Sequence, residues 1–388
     1  MRILHTSDWH LGRSFHRVGM LEHQAAFVDH LLGVVASEAV DLVVVAGDVY
    51  DRALPHVDAV RLADETLARL AASRARVVIT SGNHDSAQRL GFGARVMDAA
   101  GIHVRTDASS VGTPVVLEDA HGPVAVHGLP FLDPHTLHEP WSLPARTHEA
   151  AVAEAMRRVR ADLVARPTRS VVLAHAFVAG GLPSESERDI SVGGVSVVSS
   201  ELFADISYTA LGHLHGRATL AETVRYSGSP LAYSFSEAAH TKGSWLVDLG
   251  ADGVTGTTFV EAPVPRRLSV VSGELETLLR DPRLDGAEDH WVQATLTDAV
   301  RPERPMERLR ERFPHALVLG FAPAGEPGPS VVAAAPGGRS DHEVALDFVA
   351  AMRGGPADED ESALLLRACD ACADDPEADL LLSAGGSG

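Results

Sequence analysis

The sequence predicts an α/β fold, and three observations carry that prediction. Apolar runs of strand length at residues 3–6, 42–46 and 77–80 alternate with stretches of helical periodicity. Two further runs, at 171–174 and 208–211, fall between residues 170 and 248, where short strands and Gly or Pro turns dominate. Each of these five runs leads into a short polar segment: Asp8-Trp9-His10, Gly47-Asp48, Gly82-Asn83-His84-Asp85, His175, and Gly212-His213-Leu214-His215. Loops that follow strand ends are where an α/β scaffold gathers its ligands.

The remaining elements follow in order. Residues 24–37 place Phe27, Leu31, Val34 and Val35 on one helical face, and residues 58–72 repeat the pattern with Val60, Leu62, Leu67 and Leu70. Pro263-Val264-Pro265 marks a boundary. Beyond it a strand (268–272), a helix (274–280), a strand (290–297), a helix (306–313) and a strand (316–321) make an α+β unit. That unit is too small for a typical independent domain, so it is expected to dock on the first. Residues 322–340 are rich in Ala, Gly and Pro and read as a linker. Helices at 341–352 and 362–373 flank Gly354-Gly355-Pro356. The expected division is therefore 1–264, 265–321, 322–340 and 341–388. Val344, Phe348 and Ala351 on one terminal helix, and Leu364, Leu365, Leu366 and Ala368 on the other, form apolar faces that need a cover.

A chain of 388 residues that is 45% hydrophobic and 22% charged is ordinary for a soluble globular protein. No apolar run reaches the roughly 18 residues of a membrane span. Met1 is followed almost at once by a strand, which leaves no room for a signal peptide, and a cytoplasmic location is expected. The net charge of −20 runs against a nucleic-acid partner, but residues 341–388 hold 12 acidic and only 2 basic side chains, half of that excess. Charge beyond a Debye length of about 8 Å is largely screened from a distant site. Arg13, Arg17, Arg266, Arg267, Arg304, Arg308, Arg310 and Arg312 are the candidates for a local basic surface. Cys369 and Cys372 are the only cysteines; their acidic surroundings, with no second pair nearby, argue against a redox or zinc role.

The five polar segments have the composition of a two-metal phosphoesterase centre. Two divalent cations about 3.5–4 Å apart can clamp the attacking and leaving oxygens of an in-line displacement at phosphorus. A carboxylate can bridge them, and Asp48 is the expected bridge. Imidazoles and an amide oxygen fill further positions without adding negative charge. Asp8 and Asp48 offset part of the metal charge, leaving a surplus of about two positive charges to hold a phosphate and acidify a water. His213 and His215, alternating in an extended segment, share one face. Other schemes fail: the single lysine, Lys242, follows no Gly-x-x-x-x-Gly motif, and no Gly-x-Ser-x-Gly elbow occurs. ATP dependence would have to come from a partner.

The runs Ser7-Asp8-Trp9-His10-Leu11-Gly12-Arg13, Ala46-Gly47-Asp48-Val49-Tyr50-Asp51 and Gly82-Asn83-His84-Asp85-Ser86 resemble the calcineurin-like metallophosphoesterase superfamily. Together with Tyr208-Thr209-Ala210-Leu211-Gly212-His213-Leu214-His215 and Arg225-Tyr226-Ser227-Gly228-Ser229-Pro230, they look like the SbcD-type nuclease subunits of bacterial SbcCD complexes. The likeness is strong over residues 1–260 and extends beyond only in layout. Asp51-Arg52-Ala53 and Asp85 depart from the protein-phosphatase branch, which has Asp-Arg-Gly and Glu at those places. The resemblance implies a four-layer αββα sandwich with a small DNA-contacting cap and a C-terminal helix pair. It assigns Asp8, His10, Asp48 and His215 to one metal, and Asp48, Asn83, His175 and His213 to the other. His84 is then no ligand but a catalytic residue beside the scissile phosphate. It further implies manganese, DNA as substrate, and a homodimer joined to an SbcC-type ATPase in a heterotetramer. The ligand types alone suit Mn²⁺, Fe²⁺ or Zn²⁺ about equally. A small-molecule phosphodiesterase or phosphatase is the alternative, against which the roughly 120 residues after the catalytic region speak.

Several residues stay outside the ligand set. His5, His23, His30 and His148 are expected as surface or satisfied core positions, and His16 and His56 only neighbour motifs. Asp51 either orients a ligand or caps its turn. Asp85 is expected to be structural. Residues 226–230 either touch phosphate through backbone amides or form a plain turn.

Overall fold

The computed structural model describes residues 1–188, 197–323, 340–353 and 355–373. Most of the expected linker (324–339), Gly354 and residues 374–388 lie outside these, as do the side chains of Ala351 and Cys372. Two compact units are present. One comprises Met1–Ser272, Glu276–Thr295 and Arg304–Gly320; the other comprises Gly273–Leu275, Leu296–Glu303 and the described residues from Phe321 onward.

The first unit is built on two six-stranded sheets. One runs in the order Val254–Glu261, Gly243–Leu249, Arg2–Thr6, Leu42–Ala46, Arg76–Thr80, Ile102–Arg105. Its last four strands are parallel, and Gly243–Leu249 lies antiparallel beside the first strand with Leu4 opposite Leu246. The other runs Ala218–Ala221, Val224–Tyr226, Tyr208–Gly212, Arg169–His175, Gly122–Leu129, Val115–Asp119, with a parallel centre and antiparallel edges.

Burial explains why the central strands are continuous apolar runs. Every residue of Leu42–Ala46 is buried, as in a parallel sheet covered on both faces. Ile3, Leu42, Val44 and Val78 pack against Val124, Val126, Val171 and Leu173 of the facing sheet. The alternate residues Leu4, Val43, Val45, Val77 and Ile79 meet Phe27, Leu31, Ala63 and Leu70 of helices Leu21–Ser37 and Val57–Ala71. On the far side, Val172, Ala174 and Leu211 are covered by Val152, Ala155, Met156 and Val159 of helix His148–Ala165. The layer order is helix, sheet, sheet, helix: the expected αββα sandwich. Thr147 starts the last helix by accepting the Ala150 amide on its hydroxyl at 3.2 Å.

Most of a three-stranded sheet, Leu268–Gly273, Trp291–Leu296 and Ala316–Phe321, belongs to the same unit. Trp291 stacks on Phe15 at 5.1 Å, in a cluster with Met20, Leu231, Tyr233 and Phe235. This cluster docks the small sheet, as its size requires. Phe15 is presented by the hairpin Ser14–Phe15 and Val18–Gly19, whose tip residues His16 and Arg17 are both left-handed, at φ 45° and 72°.

In the second unit, helices Asp341–Arg353 and Glu359–Ala373 pair with each other. Arg353 makes a bidentate contact with Glu361 at 2.6 and 2.7 Å, and His342 Nε2 lies 2.9 Å from the Ser362 carbonyl. Val344, Phe348, Leu364 and Leu366 are exposed. Among the described residues Cys369 forms no disulfide, and no helix is long and apolar enough to cross a membrane.

Candidate metal centre

All seven expected ligands and His84 follow the C-terminal ends of parallel strands and meet where the two sheets face each other. Asp8 and His10 follow Arg2–Thr6, Asp48 follows Leu42–Ala46, and Asn83 and His84 follow Arg76–Thr80. His175 ends its strand in the second sheet, and His213 and His215 follow Tyr208–Gly212. Four of these residues are left-handed: Asp8 (φ 52°), His10 (46°), Asp48 (50°) and His213 (102°). Such backbone costs about 1–3 kcal/mol per residue and persists only where its surroundings enforce it. Here the loops are laced together. Asp8 N donates to the Gly47 carbonyl (3.1 Å), His10 N to that of Asp48 (3.0 Å) and Leu11 N to that of Val49 (2.9 Å). Asp85 accepts the amides of Gly82 (2.9 Å), Tyr50 (2.9 Å) and Val49 (3.1 Å), a bracing role as expected for it.

Close approach explains the motif glycines. A Cβ on Gly212 would run into the Ala46 carbonyl oxygen, and one on Gly82 into the Asp48 carboxylate. Gly212→Ala is expected to cost about 1–3 kcal/mol, the range for overpacking a tight site, and to lower metal content with it. Denaturant titration and metal analysis check this; wild-type values for both would show that the strand ends can part.

Asp48 is central. Its Oδ2 lies 3.6 Å from His10 Nε2, 3.5 Å from His175 Nε2 and 3.9 Å from His84 Nε2, while Oδ1 accepts the His84 amide at 2.9 Å. Asp8, His10 and His215 bring one ligand atom each to within 4.8 Å of one another, as do Asp8, Asp48 and His175, and also His10, Asp48 and His84. The Nε2 atoms of His10 and His215 are 3.0 Å apart. Asn83 Oδ1 faces His175 Nε2 at 2.9 Å and His213 Nδ1 at 3.3 Å. His175 Nδ1 donates to the Ala46 carbonyl (2.9 Å), which turns its Nε2 toward the Asn83 oxygen. His10 Nδ1 and Asn83 Nδ2 are buried with no hydrogen-bond partner.

Residues 1–217 match the calcineurin-like phosphoesterase family. The chain belongs to that family. Residues 264–331 match the SbcD_C model, described as the type 5 capsule protein repressor C-terminal domain. Solved structures similar to the chain include TT1561 of Thermus thermophilus, 14% identical with a TM-score of 0.41, covering 66% of this chain and 98% of that one. The calcineurin-like phosphoesterase YfkN from Bacillus subtilis is 15% identical, with a TM-score of 0.35 over 68% and 90% of the two chains. A dimetal phosphatase from Danio rerio is 13% identical, with a TM-score of 0.41 over 68% and 99%.

A calcineurin-like phosphoesterase uses divalent metals, and the donor set of this one fits them. Carboxylate oxygens and imidazole nitrogens converge within 4.8 Å of one another, a spacing that suits a cation between them. Burial, then neighbouring imidazoles, holds His10 and His213 well below the usual histidine range, so both are neutral, ligand-ready rings. Burial, then the Asp48 charge, pushes the Asp8 carboxyl well up, a repulsion that bound cations remove. Divalent cations held by these residues would acidify a water and neutralise phosphoryl oxygens. His84 Nδ1 donates to the Asp51 carbonyl (2.7 Å), which turns Nε2 toward the centre. Burial lowers the His84 pKa against the opposing pull of Asp48 and of that bond.

The structure also decides several open readings. Asp51 orients His84 through its carbonyl, while its carboxylate sits 3.7 Å from Arg13 and 3.5 Å from Arg52. The Ser229 amide is taken by the His215 carbonyl (3.2 Å) and Ser227 Oγ meets Ser7 Oγ (2.8 Å), so residues 226–230 form a bracing turn. His5 is a satisfied core residue between Tyr208 Oη (2.8 Å) and the Leu211 carbonyl (3.1 Å). Sequence reading missed the residues behind the ligands. Gln24 donates to the His10 carbonyl (2.8 Å) and accepts the Gly12 amide (2.9 Å), and Tyr233 donates to the Trp9 carbonyl (2.6 Å). A glutamine in line with the apolar face of its helix was the available signal for Gln24.

Proposed function

We propose that this phosphoesterase is a DNA nuclease of the SbcD type, acting as a double-strand exonuclease and single-strand endonuclease with two Mn²⁺ ions. In this reading it works in the cytoplasm, where an SbcC-type ATPase partner finds its ATP, and serves DNA end processing in repair, recombination and replication. The observation that carries the reading is the order of the two family matches, a phosphoesterase at 1–217 followed by an SbcD_C segment at 264–331. Residues 1–264 then form the catalytic domain, 265–321 a DNA cap, 322–340 a linker and 341–388 the partner-binding helices.

Asp8, His10, Asp48 and His215 hold one ion, and Asp48, Asn83, His175 and His213 hold the other. His84 stabilises charge on the scissile phosphate or protonates the leaving oxygen. Arg13, Arg308, Arg310 and Arg312 are engaged internally, with Ser186 and Asp51, Glu276, the Ala316 carbonyl, and Asp285 and Glu288. Arg17 and Arg267 are exposed and are better placed to meet a DNA backbone. Arg267 lines a cleft of about 400 Å³ together with Arg266, His290 and Trp291.

Linear, hairpin and circular DNA assayed beside p-nitrophenyl phosphodiesters test the reading. Mn²⁺-dependent, chelator-sensitive cutting of DNA is expected; hydrolysis of the small esters alone would leave a small-molecule phosphodiesterase instead. The helix pair gives a separate test. Deleting residues 341–388 is expected to spare Mn²⁺-dependent cleavage of short single strands while abolishing co-purification with the ATPase. Unchanged ATPase affinity in the truncated protein would place the partner site elsewhere.

A further inference from the structure

Of the 33 Lys and Arg side chains in this chain, one alone is a lysine, and it is buried behind the metal centre. Lys242 Nζ donates to the His215 carbonyl (2.8 Å), to Ser229 Oγ (3.0 Å) and to Glu237 Oε2. Three acceptors converging on one point suit the three donors of an ammonium, whereas the planar fork of arginine spreads its donors sideways. A chain that otherwise uses arginine has a geometric reason for lysine here.

The other oxygen of Glu237 leads to a metal ligand. Ser186 Oγ lies between Glu237 Oε1 and His215 Nδ1, at 2.5 Å from the imidazole nitrogen. A carboxylate only accepts, so the Ser186 proton points at Glu237. Its oxygen must then accept from His215, which places the imidazole proton on Nδ1. The other ring nitrogen, His215 Nε2, faces His10 Nε2 at 3.0 Å, and Asp8 completes that cluster. The chain is closed: the ammonium that balances Glu237 also holds the His215 backbone. Arg13 fixes the loop that carries Ser186 by donating to its carbonyl at 2.7 Å. The Nδ1 atoms of His175 and His84 rest on neutral carbonyls and that of His10 has no partner. His215 alone among these four has its Nδ1 linked through a hydroxyl to a buried carboxylate.

A buried ion pair is a poor stabiliser in itself, since an apolar pair of similar volume is often as stable. We propose that Lys242, Glu237 and Ser186 are positioning residues for His215, fixing its tautomer and orientation so that one of the two cation positions binds tightly. This rests on the metal-centre reading. The matching general expectation is that losing an outer partner of a ligating histidine costs about 10–100-fold in metal affinity.

Ser186→Ala breaks the link while leaving the Lys242–Glu237 contact in place, and Ser186→Thr keeps the hydroxyl. The full-length, metal-stripped proteins are titrated with Mn²⁺ by calorimetry, with melting temperatures in parallel. Wild type is expected to bind two Mn²⁺; failure of wild type to bind them would defeat the metal-centre reading itself. Ser186→Ala is expected to lose about 10–100-fold in affinity at one position, with the other position and the metal-free melting temperature unchanged. Ser186→Thr should restore binding, and Glu237→Gln should repeat the loss. Two wild-type affinities in Ser186→Ala would overturn the proposal. So would equal weakening of both positions with a lowered melting temperature, the mark of a merely structural contact.

Discussion

Asp48→Asn is expected to abolish phosphodiester cleavage and to reduce metal content at both positions. The carboxylate stands within 4 Å of three imidazoles that approach from both sheets. Its Oδ1 is tied to the His84 amide at 2.9 Å, which leaves Oδ2 as the atom facing the cluster. An asparagine can keep the first contact only by turning its NH₂ toward the imidazole lone pairs. In the proposed two-cation site, the change removes one negative charge and the bridging oxygen. The loss of affinity should therefore exceed the roughly 10–100-fold typical of an outer partner. Metal analysis of the purified variant beside its turnover number is the measurement. Two retained ions with full activity would remove Asp48 from the bridging role.

His84→Gln should behave in the opposite way with respect to metal. Its Nδ1 is committed to the Asp51 carbonyl, so the ring cannot swing away, and Nε2 is held 3.9 Å from Asp48 Oδ2. If His84 serves the substrate, metal content stays near wild type while turnover falls by about 10²–10⁴-fold, the usual worth of a general acid or base. His213→Ala is the control, since it should lose metal. Comparable metal loss in both variants would make His84 a ligand, an assignment its closeness to His10 and Asp48 makes worth testing.

The strands, and the clustering of the polar segments that follow them, were legible because their signals are local. Leu42–Ala46 is buried on both faces, so its burial is written as an unbroken apolar run ending at Gly47-Asp48. Glu237, Ser186 and Lys242 gave no such signal. Each is ordinary among its sequence neighbours and acquires meaning only where residues 51 and 27 positions apart are brought together. The same limit applies to Gly243–Leu249, whose place beside the first strand joins the two ends of the catalytic region. Arg308 and Arg312 were candidates for a basic surface; the carboxylates that hold them, Glu276, Asp285 and Glu288, lie 24 to 32 positions away and left no local signal. Helix ends moved by a few residues: the first helix begins at Leu21 and not at residue 24, and Leu21 packs on the same core as Val28 one repeat later.

The loops of the proposed centre issue from both sheets, and under the proposed assignment neither sheet alone supplies a full ligand set for either cation. Asp8, His10, Asp48 and Asn83 come from one, and His175, His213 and His215 from the other. The gap between them is therefore a working dimension, set by the apolar layer of Ile3, Val44, Val126 and Leu173. That layer acts as the spacer in a calliper. Dense packing transmits a lost or added methylene there as a displacement of the jaws. A substitution at Val126, which touches no ligand, thus reaches the chemistry as a change in jaw width.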